Sequence, residues 1–92
     1  VLTNGRTRGK TIDINRSMMR LGRKRDCDIV IDDEQVSSHH AQLRVDGTLC
    51  RLNDLDSSNG TWLNGERVQG ARTLDDGDEI VVGQTKLVYK RV

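Results

Sequence analysis

Alternation of apolar and polar residues with a period of two runs along most of this chain. Ile12 and Ile14 flank Asp13, Met19 and Leu21 flank Arg20, and Ile29 and Ile31 share a face opposite Val30. Ala41, Leu43 and Val45 alternate with Gln42, Arg44 and Asp46. Successive side chains of an extended chain point to opposite faces, so this spacing predicts strands with one apolar side. Asp46-Gly47 then marks a hairpin, because a type I′ turn needs positive φ. Residues 49–55 read as the returning strand, with Cys50 and Leu52 inward. Ile80 and Val82 precede a second hairpin at Gly83-Gln84, and residues 85–92 close the chain as a strand. Helical spacing is weak, carried by Ile29, Val36, His40 and Leu43, and residues 33–40 could form one turn at most. Many short strands separated by Gly-bearing turns predict an all-β sandwich or barrel. The chain has no proline, so its sheet edges need charge, bulges or covering chain.

Composition narrows this picture. Ninety-two residues make one domain, spanning 1–92, and that length suffices for one core without staples. With 15 basic and 14 acidic residues the formal charge is +1, which implies neither nucleic acid nor an anionic membrane as partner. No segment approaches the roughly 20 apolar residues that span a bilayer, and no signal peptide is seen. The chain starts at Val1 and reads as a domain excised from a longer, cytoplasmic protein. Cys27 and Cys50 lack the ligand spacing of a metal site, so no metal is expected. They read as free, buried thiols in a reducing compartment.

The candidate chemistry lies in three polar clusters. Gly22-Arg23 follows an apolar strand end, and a guanidinium offers a rigid fork of donors that matches phosphate oxygens. Val36-Ser37-Ser38-His39-His40 sets two hydroxyls on a loop, where they and neighbouring N–H groups can donate to an anion. Ser57-Ser58-Asn59-Gly60 forms a tight tip, and an Asn amide can read a peptide backbone through both donor and acceptor. Each cluster alone is also explained by solvation or by turn formation, and Asn59 could simply adopt the positive φ of its turn. Asn64-Gly65 reads as a hairpin turn without a ligand. Ser37 with His39 or His40, and Asp32 or Asp54 behind, has the composition of a hydrolytic triad. The alternative for the histidines is one buried and hydrogen-bonded, one exposed.

Taken in order, these motifs resemble the forkhead-associated (FHA) domain, a phosphothreonine-peptide binding module. The matching residues are Leu21-Gly22-Arg23, Cys27-Asp28-Ile29-Val30-Ile31, Val36-Ser37, His40-Ala41, Leu55-Asp56, Ser58-Asn59-Gly60-Thr61, Leu63-Asn64-Gly65, Leu74, Gly77-Asp78, Ile80 and Gly83. The resemblance implies a β-sandwich of about eleven strands in two sheets, with binding loops at one end. It implies that Arg23 holds the phosphate and that Ser37 donates to it. Ser38 and Ser58 would contact phosphate or adjacent backbone, and Asn59 the peptide main chain. Gly22, His40, Gly60, Asn64 and Gly65 would support the binding loops. No residue would be catalytic and no cofactor is implied.

The implied partner is a phosphothreonine-containing peptide or protein, met by a monomeric domain. Arg72, Gln84 and the residues around Gln69-Gly70 are candidates for reading the peptide beyond the phosphothreonine. The competing function is a phosphate-independent assembly module on the same fold. A hydrolase built on Ser37 finds no support in a Gly-x-Ser-x-Gly elbow, which is absent.

Overall fold

The computed structural model describes residues 2–4, 11–12, 14 and 16–90. They form two sheets and no helix. Nine strands fall within the continuous stretch: β3 (Met18–Gly22), β4 (Ile29–Val30), β5 (Ala41–Asp46), β6 (Leu49–Asp54), β7 (Thr61–Leu63), β8 (Glu66–Arg67), β9 (Ala71–Thr73), β10 (Glu79–Val82) and β11 (Thr85–Tyr89). Two short segments, β1 (Leu2–Asn4) and β2 (Thr11–Ile12), bring the total to eleven. One sheet runs β4-β3-β5-β6-β9 and the other β2-β1-β11-β10-β7-β8. Every pairing is antiparallel except β3 with β4.

The alternation seen in the sequence becomes the inner face of each layer. Met19, Leu21, Ile29, Leu43, Cys50 and Leu52 face inward from one sheet. Leu63, Ile80, Val82, Leu87 and Tyr89 meet them from the other. Leu74 and Val36, from connecting segments, close the core. A fully buried aliphatic side chain contributes about 1.5–3 kcal/mol, so this apolar set drives the two layers together.

The turns refine the sequence reading. The β5–β6 register pairs Asp46 with Leu49, so the loop is Gly47-Thr48 and not Asp46-Gly47. Only Gly47 has positive φ there (+63°), as a type II′ turn requires. Gly83-Gln84 repeats that pattern between Val82 and Thr85. Asn64-Gly65 is the type I′ hairpin, with φ of 50° and 85° at its two residues. Residues 33–40 form no helix. The Val36 N–H bonds the Asp33 carbonyl, but side chains take up the neighbouring backbone groups before a helix can continue. The last strand ends at Tyr89; the expectation for residues 91–92 falls outside the described residues.

Candidate functional site

The registers place five connections at one end of the sandwich. These are residues 23–28, 31–40, 55–60, 68–70 and 83–84. The first three carry every candidate phosphate ligand.

Gly22 is needed because the first two loops approach closely. A Cβ there would lie 2.1 Å from the Ser38 carbonyl oxygen and 2.8 Å from Cys27 Sγ. The same closeness lets Arg23 N–H donate to Ser37 O at 3.0 Å and Lys24 N–H to Ser38 O at 3.2 Å. Cys27 Sγ also donates to Ser38 O, at 3.3 Å. Burial pushes the Cys27 thiol up, and the adjacent Asp26 carboxylate adds to the effect. Arg23 is therefore fixed at its backbone while its side chain is exposed.

His40 ties the second loop to the third. It is fully buried. Its Nδ1 accepts from the Ser37 N–H at 3.0 Å, which leaves the ring proton on Nε2 to be donated to the Gly60 carbonyl at 2.8 Å. Both ring nitrogens are thus used by backbone. The Ser58 N–H donates to Ser37 Oγ at 3.0 Å. That bond occupies a lone pair of the half-buried hydroxyl and leaves its proton to be donated elsewhere. Asn59 Nδ2 donates to Gln35 O at 2.8 Å, and its Oδ1 has no partner among the described residues. Asn59 does not take positive φ; Asp56 and Gly60 carry that conformation, at 55° and 85°. The Asn59 side chain is therefore not spent on forming the turn. Ser38 and Ser58 present exposed side chains on the same rim.

Two acidic residues that the sequence reading did not place in this support turn out to organise it. Asp54, at the end of β6, accepts from the Ser57 hydroxyl at 2.5 Å, the Thr61 hydroxyl at 2.7 Å and the Ser57 N–H at 3.2 Å. Burial pushes its carboxyl up, but these hydrogen bonds prevail and hold it below the usual carboxylate range. Asp33 accepts from the Gln35 N–H at 2.9 Å, and from the Gln84 N–H and the Thr85 hydroxyl at 2.8 Å each. The spacing Asp54-x-x-Ser57 was a readable local turn signal. The Asp33 contacts with Gln84 and Thr85 lie about fifty residues away in sequence and had none.

Other expectations are corrected. Asn64-Gly65 sits at the opposite end of β7 from Gly60, so it does not brace the binding loops. Its Asn64 side chain instead donates to Asp78 Oδ1 at 3.0 Å and accepts from the Glu79 N–H at 2.9 Å. The hydrolytic triad is not assembled, since His40 faces two backbone groups and His39 Nε2 lies 3.1 Å from both Asp26 oxygens. The His39 hydrogen bond holds the exposed Asp26 carboxyl below its ordinary value. Arg72 is turned toward Glu66, 4.0 Å away. Gln84 and Gln69-Gly70 do flank the binding end. Asp26, Cys27 and His39 bring three possible metal-ligand atoms within 4.8 Å of one another, a grouping the linear spacing did not reveal. Their atoms are engaged with one another and with Ser38 O.

Known proteins resemble this chain in sequence and fold. EmbR of Mycobacterium tuberculosis, a transcriptional regulatory protein, is 44% identical over 82 residues, covering 89% of this chain and 21% of EmbR. The glycogen accumulation regulator GarA of Mycolicibacterium smegmatis is 36% identical over 89 residues, covering 97% of this chain and 56% of GarA. The chain thus spans about a fifth of EmbR and little more than half of GarA. A solved structure from a study of phosphothreonine-dependent FHA domain interactions superposes with a TM-score of 0.93 at 31% identity, covering 99% of this chain and 94% of the other. EmbR in complex with a low-affinity phosphopeptide gives a TM-score of 0.92 at 37% identity, covering 97% and 23%. The family model described as the FHA domain matches residues 19–83, and the chain belongs to that family.

Proposed function

We propose that this domain is a non-catalytic reader of phosphothreonine-containing protein segments. The carrying observation is the Ser37 hydroxyl, held by the Ser58 N–H at 3.0 Å while Ser37 O accepts from the Arg23 N–H. One residue thereby ties an O–H donor to the loop that carries the Arg23 guanidinium. A phosphothreonine carries about −1.5 to −2 charges near neutral pH. Arg23 supplies the charge-assisted bonds, Ser37 donates its hydroxyl, and Ser38 and Ser58 add neutral contacts. The remaining donor and acceptor of Asn59 fit an extended peptide main chain. Gly22, His40 and Gly60 hold the three loops in place.

The relatives support this reading. EmbR has been captured with a phosphopeptide, and both EmbR and GarA bear the names of regulators. Recruitment of a phosphorylated partner in signalling is accordingly the role proposed for this domain. Two buried cysteines outside any disulfide accord with the reducing cytoplasm.

Charge-assisted bonds contribute about 1.5–3 kcal/mol each, and ordering the peptide offsets part of that, so affinity falls in the low micromolar range. Fluorescence anisotropy with matched phosphothreonine, phosphoserine and unphosphorylated peptide libraries tests the reading. Saturable binding of the phosphothreonine library, lost in Arg23→Ala, supports it. Equal binding of the unphosphorylated library by a folded protein refutes it in favour of phosphate-independent assembly.

A further inference from the structure

The outer face of the five-stranded sheet carries a second concentration of donors, starting just below the loop end. Register places Arg44 directly opposite Arg51, and Gln42 directly opposite Asn53. Arg20 extends the second pair onto β3, and Ala71 closes it on β9. Across all four strands neither row holds a carboxylate. Gln42, Arg44, Arg51, Asn53 and the small Ala71 line an open hollow of about 180 Å³. Among the described residues, the side chains of those four polar residues make no hydrogen bond or ion pair.

This arrangement is unfavourable to the isolated domain. Like charges directly opposite on a sheet face repel, with Cβ atoms about 4.5–5.5 Å apart. Arg20, Arg44 and Arg51 make these two rows positive, while Asp46, two residues beyond Arg44 on β5, belongs to the next row.

We infer that this face is a docking site for an acidic, extended segment of a protein partner. Carboxylates two residues apart on an extended peptide are about 7 Å apart, the same spacing as Gln42 and Arg44 along β5. An acidic side chain between Arg44 and Arg51 would accept from both guanidinium groups and cancel their repulsion. Gln42 and Asn53 offer amide donors and acceptors to the peptide main chain. A nucleic acid fits less well. Strong binding there rests on about 6–10 phosphate contacts, and single strands also need aromatic platforms. This face has three arginines and no aromatic residue in either row.

The test uses an unphosphorylated peptide of about eight residues alternating Glu and Ser, titrated into the ¹⁵N-labelled domain. The inference expects amide shifts centred on Gln42, Arg44, Arg51 and Asn53, weakening as salt is raised. Arg44→Gln with Arg51→Gln should weaken binding on the order of tenfold or more, the loss expected when charge pairs at an interface are removed. The melting temperature of that variant should be unchanged or raised, since a repulsion is removed. Arg23→Ala should bind the peptide like wild type, which separates this surface from the phosphate site. Shifts confined to the loop end, loss of binding in Arg23→Ala, or undiminished binding in the double variant would overturn the inference. So would tighter binding of single-stranded DNA or phosphatidylserine vesicles than of the peptide.

Discussion

Replacing His40 by Phe keeps the ring and removes both nitrogens. In the native domain those nitrogens serve the Ser37 N–H at 3.0 Å and the Gly60 carbonyl at 2.8 Å. The Gly60 carbonyl is buried, and leaving such a group unpaired costs about 1–3 kcal/mol. The Ser37 N–H is partly exposed and can recover a water, so its loss falls at the lower end of that range. The sum is a destabilisation of at least about 2–4 kcal/mol, since the larger phenyl ring leaves no cavity and any overpacking only adds to the loss. In a domain of this size each kcal/mol moves Tm by about 4–8 °C, so a fall of at least about 8 °C is expected. Urea unfolding followed by Trp62 fluorescence would measure the free energy, and a thermal melt followed by circular dichroism the Tm. Phosphopeptide affinity should also fall, because Ser37 and Gly60 belong to the two loops that His40 joins. A variant within about 0.5 kcal/mol of wild type, the scatter of an ordinary surface substitution, would refute the claim that His40 locks the loops.

Further outcomes follow from the same contacts. Gly22→Ala should abolish or severely impair folding, because its methyl would sit 2.1 Å from a backbone oxygen; a wild-type melting curve would show that the two loops can separate freely. Asp54 has a folded-state pKa below its unfolded value, so its stabilisation is complete above the unfolded value of about 3.9 and is lost as pH falls through the folded one. Asp54→Asn should therefore lower stability at pH 7 and flatten its decline below pH 4, which denaturation across a pH series would read; parallel acid limbs would exclude Asp54 from that decline. Gly65→Ala, at φ of 85°, should cost about 1 kcal/mol yet leave phosphopeptide affinity unchanged, as calorimetry can check.

The inner faces were legible because a strand's period of two is a local property. Met19 with Leu21, Leu43 and Cys50 with Leu52 sort themselves by spacing alone, and burial then follows from solvent. The Asn64-Gly65 turn was legible for the same reason, since only residues tolerant of positive φ fit a type I′ turn. Motif order also singled out Gly22, Arg23, Ser37 and Asn59, and the fold brings the loops that carry them to one end. Other features depended on contacts that no local pattern encodes. Asp33 reaches Thr85 across the sandwich. The bonds of His40 decide both its tautomer and its exclusion from hydrolysis. Arg44 faces Arg51 only because a two-residue turn sets the register, and a slip of one residue would send either side chain to the other face. Spacing along the chain thus determined which residues face the core. Which polar groups meet was left to the tertiary structure, because hydrogen bonds are short-ranged and directional and act only once distant segments have been packed together.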